Sequence, residues 1–240
     1  MSAGDLFAEA GLDDSAPRPL ADRLRPKRLA DVVGQDHLLG PDGSLSRMLK
    51  AGSLRSLVFW GPAGSGKTTV ARLLATETNL HFEQISAIFT GVQDLRKIFE
   101  AAKLRRRDGI GTLLFVDEIH RFNRAQQDGF LPHMEDGTII LVGATTENPS
   151  FELNSALLSR ANVLVFNRLD DGSLESLLKR AEDTTGLKLK VSSEARTGLI
   201  HMADGDGRAL LGMAEDVFAA QAPENDPMNL EQISKLVHRR

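Results

Sequence analysis

Between an apolar run, Ser56 to Trp60, and a helical pattern that opens at Gly66 lies Gly61-Pro62-Ala63-Gly64-Ser65-Gly66-Lys67-Thr68. Few stretches of eight residues restrict a fold so tightly. The Gly-x4-Gly-Lys-Thr spacing is useful only where a strand ends and a helix begins, because its backbone N–H groups must curl around phosphate oxygens while the helix turns its positive end toward them. The flanking elements are the right ones here. In that arrangement Lys67 reaches the β- and γ-phosphates of a nucleotide, the Thr68 hydroxyl is a magnesium ligand, and Thr69 follows in the first helical turn.

The rest of the first two-thirds alternates strand-like and helical patterns. Strands are predicted at Ser56–Trp60, His81–Ile85, Thr112–Val116 and Thr138–Ala144, and helices at Gly66–Thr78 and around Gly91–Leu104. Such alternation predicts an α/β fold with a mostly parallel sheet covered by helices on both faces. Leu95, Ile98, Phe99 and Ala102 recur at helical spacing, with Thr90 available as the cap. After Phe166 the pattern is helical only, with segments near 170–183, 192–203, 207–221 and 229–239. The expected division is an acidic tail at 1–16, an α/β/α ATPase domain at 17–168 and an α-helical lid at 169–240.

Two carboxylates end the third strand: Leu113-Leu114-Phe115-Val116-Asp117-Glu118. The carboxyl ends of strands are where open α/β sheets bind ligands. Asp117 is expected to hold magnesium, directly or through water, and Glu118 to orient and polarise the attacking water. Thr145 and Thr146 end the next run. Thr146 either bonds the γ-phosphate or the lytic water, or merely satisfies the backbone of a turn. Arg160 and Arg208 are either surface arginines or guanidinium forks for the charge that phosphoryl transfer spreads over the γ-oxygens. Arg208 opens a lid helix, so it is placed to touch the nucleotide from that side.

With these elements in order the chain resembles the AAA+ superfamily, in the clamp-loader-like branch that also holds the Holliday-junction branch-migration motor. Within it the resemblance is to the replication-associated recombination protein A family, bacterial relatives of Werner helicase-interacting protein. It rests on the 19–26 and Val33-Gly34-Gln35 segments, on Asp117-Glu118-Ile119-His120-Arg121-Phe122-Asn123 and Gln126-Gln127-Asp128, and on the long 143–160 stretch ending in Arg160. It implies Mg-dependent ATP hydrolysis, with Thr146 as sensor 1, Arg160 as the finger offered to a neighbouring subunit's ATP, and Arg208 as sensor 2. Arg23 to Pro26, with Val32 to Gln35, would line the adenine pocket; Arg25, Pro26 and Val33 are the contacts expected there. The implied setting is cytoplasmic, near the nucleoid, at stalled or gapped forks. DNA ends or single-strand/double-strand junctions would be engaged, with single-stranded-DNA-binding protein and a sliding clamp as partners. The alternative is a clamp-loader-type, ATP-switched assembly subunit. Family members continue into a helical region that supports a tetramer, so the chain reads as an ATPase module. Gly212 stands where an asparagine is expected nearby, at a cost of about 1 kcal/mol inside a helix relative to alanine.

Composition narrows the remainder. A net charge of -4 supplies no overall attraction to nucleic acid, so DNA contact must come from local patches or from assembly. With no cysteine in the chain, disulfides and thiolate zinc sites are excluded. The six histidines lack ligand spacing, and no metal beyond magnesium is expected. No apolar run is long enough to span a membrane. Lys103, Arg105, Arg106 and Arg107 either meet DNA phosphates or form a solvated helix end. Trp60 is core or a base-stacking surface. Asp5-Leu6-Phe7 faintly resembles a clamp-binding peptide.

Overall fold

The computed structural model describes residues 18–220, 223 and 226–237. The 1–16 tail, with Asp5-Leu6-Phe7, lies outside them. A short helix α1 (Leu20–Arg23) and two more, α2 (Asp36–Leu39) and α3 (Ser44–Lys50), lead into the sheet. There follow β1 (Leu57–Trp60), α4 (Lys67–Glu77), β2 (His81–Ser86), α5 (Val92–Arg107) and β3 (Thr112–Asp117). After α6 (Arg124–Asp128) and α7 (Leu131–Glu135) come β4 (Ile140–Thr145), α8 (Pro149–Glu152), α9 (Ser155–Leu158) and β5 (Asn162–Val165). The last helices are α10 (Asp171–Thr185), α11 (Ser193–Ala203), α12 (Gly207–Ala220) and α13 (Leu230–Val237).

The five strands pair in parallel in the order β2-β3-β4-β1-β5. Side chains alternate across the sheet with period two, so one strand feeds two cores. Leu113 and Phe115 of β3 join Leu57, Phe59 and Val142 under α4, while Leu114 and Val116 join Val58 and Leu141 under α5. β3 is buried along nearly all its length, as a parallel strand covered on both faces must be. The α/β class and the four strands read from sequence are present.

β5 was not expected. It has four residues, and only Leu164 is well buried while Val163 and Val165 are 40% and 47% exposed. An edge strand with two of its three apolar residues in water carries little pattern. The cap of α5 also differs from expectation. Gly91 rather than Thr90 is the capping position, and the Asp94 carboxylate reaches back to accept the Gly91 N–H at 3.2 Å.

A third core is built from helices alone. Leu174, Leu178, Leu199, Leu210 and Ile233 pack together, and with them Leu20 and Leu24, which precede the sheet in sequence. The Leu20 N–H donates to Glu215 Oε1 of α12 at 3.0 Å, which fastens α1 to the far end of the chain. Gly212 interrupts nothing: α12 runs through it, and a β-carbon there would meet open space. Three of the four in the α5 basic cluster are paired, Lys103 with Glu100 at 2.8 Å, Arg105 with Glu83 at 2.9 Å and Arg106 with Asp136 at 4.0 Å. Trp60 is half-buried at the end of β1, apart from all three cores.

Candidate nucleotide site

Strand order decides where the site lies. β1 is flanked by β4, and β4 by β3, so Trp60, Thr145 and Asp117 end side by side at one edge of the sheet. Three loops leave that edge and enclose a cavity of about 460 Å³ with the helical unit opposite. Its size is that of an ordinary small-ligand pocket. One wall is apolar, with Leu24, Pro26, Val33, Leu169, Leu177 and Leu211; the other is the polar loop from Ala63 to Thr69. A flat aromatic ring fits the first and a phosphate chain the second.

The loop depends on two glycines with positive φ, Gly64 at +65° and Gly66 at +98°. L side chains disfavour that region, and at Gly64 a β-carbon would also run into the Asp206 carboxylate. Lys67 opens α4 with its ammonium buried, donating to the carbonyls of Gly61 and Pro62 at 2.7 Å each. Burial pushes its pKa below the usual lysine value, against the pull of the Asp117, Glu118 and Asp206 carboxylates. A buried cation held only by carbonyls is under-compensated, and an arriving phosphate supplies the missing charge.

Asp117, Glu118 and Thr146 face the same cavity, as do Thr68 and Arg208. Thr68 and Asp117 offer hard oxygen donors beside the phosphate loop, a set suited to magnesium that keeps several of its waters. Glu118 sits in the left-handed region (φ 53°, ψ 43°), which costs a non-glycine residue about 1–2 kcal/mol. Strain of this kind is held by its surroundings: His120 Nδ1 lies 3.3 Å from Glu118 Oε2. Arg25 and Pro26 also line the cavity, but the Arg25 guanidinium is engaged with Asp22 at 2.7 Å.

Gly61 and Pro62 do not line the cavity; they stand behind it as acceptors for Lys67. Arg160 lies apart from it altogether. Its side chain is 40% exposed and pairs with Glu135 at 2.6 Å. Of the residues expected around the adenine, Arg23, Gly34 and Gln35 do not line the cavity, and Asp206 was given no role by the sequence. Asp206 caps α12 by accepting the N–H groups of Arg208 and Ala209 at 2.8 and 2.9 Å, and so sets the start of the helix that carries Arg208 over the loop. The Gly205-Asp206-Gly207 sequence is a capping signal that could have shown this. Gln35 is wholly buried, donating to Ser65 O at 3.3 Å and Asn167 O at 2.8 Å and accepting from the Asn167 N–H at 3.0 Å. No local pattern announces a contact across 132 residues.

A parallel αβα sheet with a phosphate loop after β1 and an acid pair after β3 defines an AAA+ P-loop ATPase, and residues 57–169 match the ATPase family associated with various cellular activities. The chain is 27% identical to the Thermotoga maritima RuvB Holliday junction branch migration motor, with a TM-score of 0.71 over 90% of this chain and 72% of that one. It is 48% identical over 207 residues to replication-associated recombination protein A of Escherichia coli (strain K12), covering 84% of this chain and 46% of that protein. It is 40% identical over 210 residues to ATPase WRNIP1 of Dictyostelium discoideum, covering 86% of this chain and 24% of that protein. Within the AAA+ class, the chain belongs to the replication-associated recombination protein A family. It spans about half the length of the bacterial relatives of that name.

Proposed function

We propose that this chain is the motor module of a Mg-dependent ATPase that remodels DNA at stalled or gapped replication forks. The observation that carries the chemistry is the convergence of Lys67, Thr68, Asp117, Glu118, Thr146 and Arg208 on one cavity with an apolar wall for a base. Lys67 and the loop amides hold the β- and γ-phosphates; Thr68 and Asp117 hold magnesium, which neutralises charge on the phosphate oxygens. Glu118 orients the attacking water and takes its proton as the oxygen–phosphorus bond forms and the bond from the γ-phosphorus to the β–γ bridging oxygen breaks, releasing ADP and phosphate. Thr146 hydrogen-bonds the γ-phosphate or that water, and Arg208 reports the nucleotide to the helical unit. Arg160 stands outside its own cavity and is exposed, which suits a finger reaching the ATP of a neighbouring copy.

The DNA role draws its support from the names of the relatives and from the junction motor that shares the fold. By the same reasoning the protein assembles as a homo-oligomer, a tetramer in the family pattern, in the cytoplasm beside the nucleoid. Single-stranded-DNA-binding protein and a sliding clamp are the expected partners. The test is ATP turnover by the full-length protein with no DNA, single-stranded DNA, and forked or gapped duplex, with Glu118→Gln as control. Stimulation by ends or junctions, abolished in Glu118→Gln, is the expected result. Turnover indifferent to DNA but raised by a sliding clamp would replace this reading with a clamp-handling one.

A further inference from the structure

We propose that His120 is a positioning residue that fixes the Glu118 carboxylate and ties it to the end of β4, an inference that rests on Glu118 being the group that polarises water. His120 lies on the short 3₁₀ turn Ile119–Arg121 directly after Glu118, with its side chain only 6% exposed. Its Nδ1 is 2.9 Å from the hydroxyl of Thr145, which is wholly buried, and 3.3 Å from Glu118 Oε2. Among the described residues no other side chain comes within ion-pair distance of that carboxylate.

The Glu118 carboxylate, which can only accept, lies beside Nδ1 and favours one tautomer. Thr145 Oγ1 accepts the Glu147 N–H at 3.0 Å and directs its own proton to Glu147 O at 3.3 Å. With that proton on Glu147 O, the hydroxyl serves the ring as an acceptor. A protonated Nδ1 meets that demand and presents a positive edge to the carboxylate; a bare Nδ1 would set a lone pair against a negative oxygen. The network then continues along the chain, because Thr145 adjoins Thr146 on the cavity wall, and the Glu147 backbone leads to the Asn148 cap of α8. The carboxylate and the β4 loop are thus held as one unit. His120 itself does not line the cavity, so its influence reaches the reaction through Glu118 rather than through contact with nucleotide.

The experiment compares His120→Leu, His120→Asn and Glu118→Gln in the full-length protein, with steady-state turnover and, separately, binding of a fluorescent ATP analogue. His120→Leu is expected to lower kcat by about tenfold or more while analogue affinity stays within about twofold, the pattern of a group acting on the chemical step alone. His120→Asn, whose amide nitrogen can stand in for Nδ1–H, is expected to recover most of the rate. An unchanged kcat in the Leu variant, or equal losses in both variants, overturns the proposal. A second measurement does not depend on whether the Leu variant folds: long-range 1H–15N spectra of the unmutated 240-residue chain, with the His120 signal identified by its loss in His120→Asn. Protonation at Nδ1 is expected, and protonation at Nε2 alone overturns the assignment. Glu118→Gln that hydrolyses ATP at the unmutated rate would remove the parent reading. An inert Glu118→Gln beside a fully active His120→Leu removes only the role of His120.

Discussion

Lys67 is buried at the mouth of α4 with two carbonyls for company, and its depressed pKa marks how poorly those carbonyls replace water. Nucleotide binding should therefore show as thermal stabilisation. At about 100 times Kd a ligand adds about 2.7 kcal/mol, which for a chain of this size is a rise in Tm of about 5–10 °C. In Lys67→Ala that rise is expected to vanish, and a Tm shift as large as in the unmutated chain would mean that the phosphates bind elsewhere. Gly64→Ala tests the other side of the loop. Left-handed strain costs about 1–2 kcal/mol, and the new methyl displaces Asp206. A Tm lower by about 2–8 °C is expected, together with nucleotide affinity weakened by about tenfold or more. Calorimetry and analogue titration read both; unchanged affinity would show that α12 need not abut the loop.

Elements differ in how visibly they announce themselves. β1, β3 and β4 are buried on both faces, so their apolar runs stand out in the sequence, and the loop and acid pair follow them at once. β5 shows three of its four residues to water and hides. Gln35 owes its place to Asn167, far away in the chain, and single-sequence periodicity carries no such information. Within the helical unit one buried cluster ties α10 to α11: Glu182 accepts the Leu189 N–H at 2.9 Å and pairs with Arg196 at 3.2 Å, while Glu175 holds the same guanidinium at 2.9 Å. Burial works to raise the Glu182 pKa, but the Leu189 N–H and the Arg196 guanidinium outweigh it and hold the value below the usual range. A carboxylate depressed in this way stabilises the fold above its unfolded pKa of about 4.3, and the contribution is lost as pH falls through the folded value. Glu182→Gln is expected to cost about 1–3 kcal/mol at pH 7 in urea unfolding. That gap should narrow steadily below about pH 4; a gap constant down to pH 3 would refute the assignment.

For the whole molecule, the separation of Arg160 from its own cavity makes a prediction about mixtures. Arg160→Ala removes an exposed ion pair with Glu135 and two exposed hydrogen bonds, to Ala156 O and Ser159 Oγ, so stability should change by about 1 kcal/mol or less. Turnover by the assembled protein is expected to fall by about a thousandfold or more. Glu118→Gln and Arg160→Ala subunits, each inert alone, should regain activity when mixed, because some sites then combine an intact Glu118 with a neighbour's intact Arg160. Mixtures as inactive as their components would place Arg160 outside the reaction.

The bond from the Leu20 N–H to Glu215 spans 195 residues. On a ribosome adding about 5–20 residues each second, the apolar side chains of Leu20 and Leu24 wait about 10–40 s before the helices that bury them emerge. Until α12 emerges the cavity lacks the side that Arg208 and Leu211 supply, so nucleotide meets an incomplete pocket. The complete pocket exists only after translation has passed α12, and any factor that shields the N-terminal leucines must act before then.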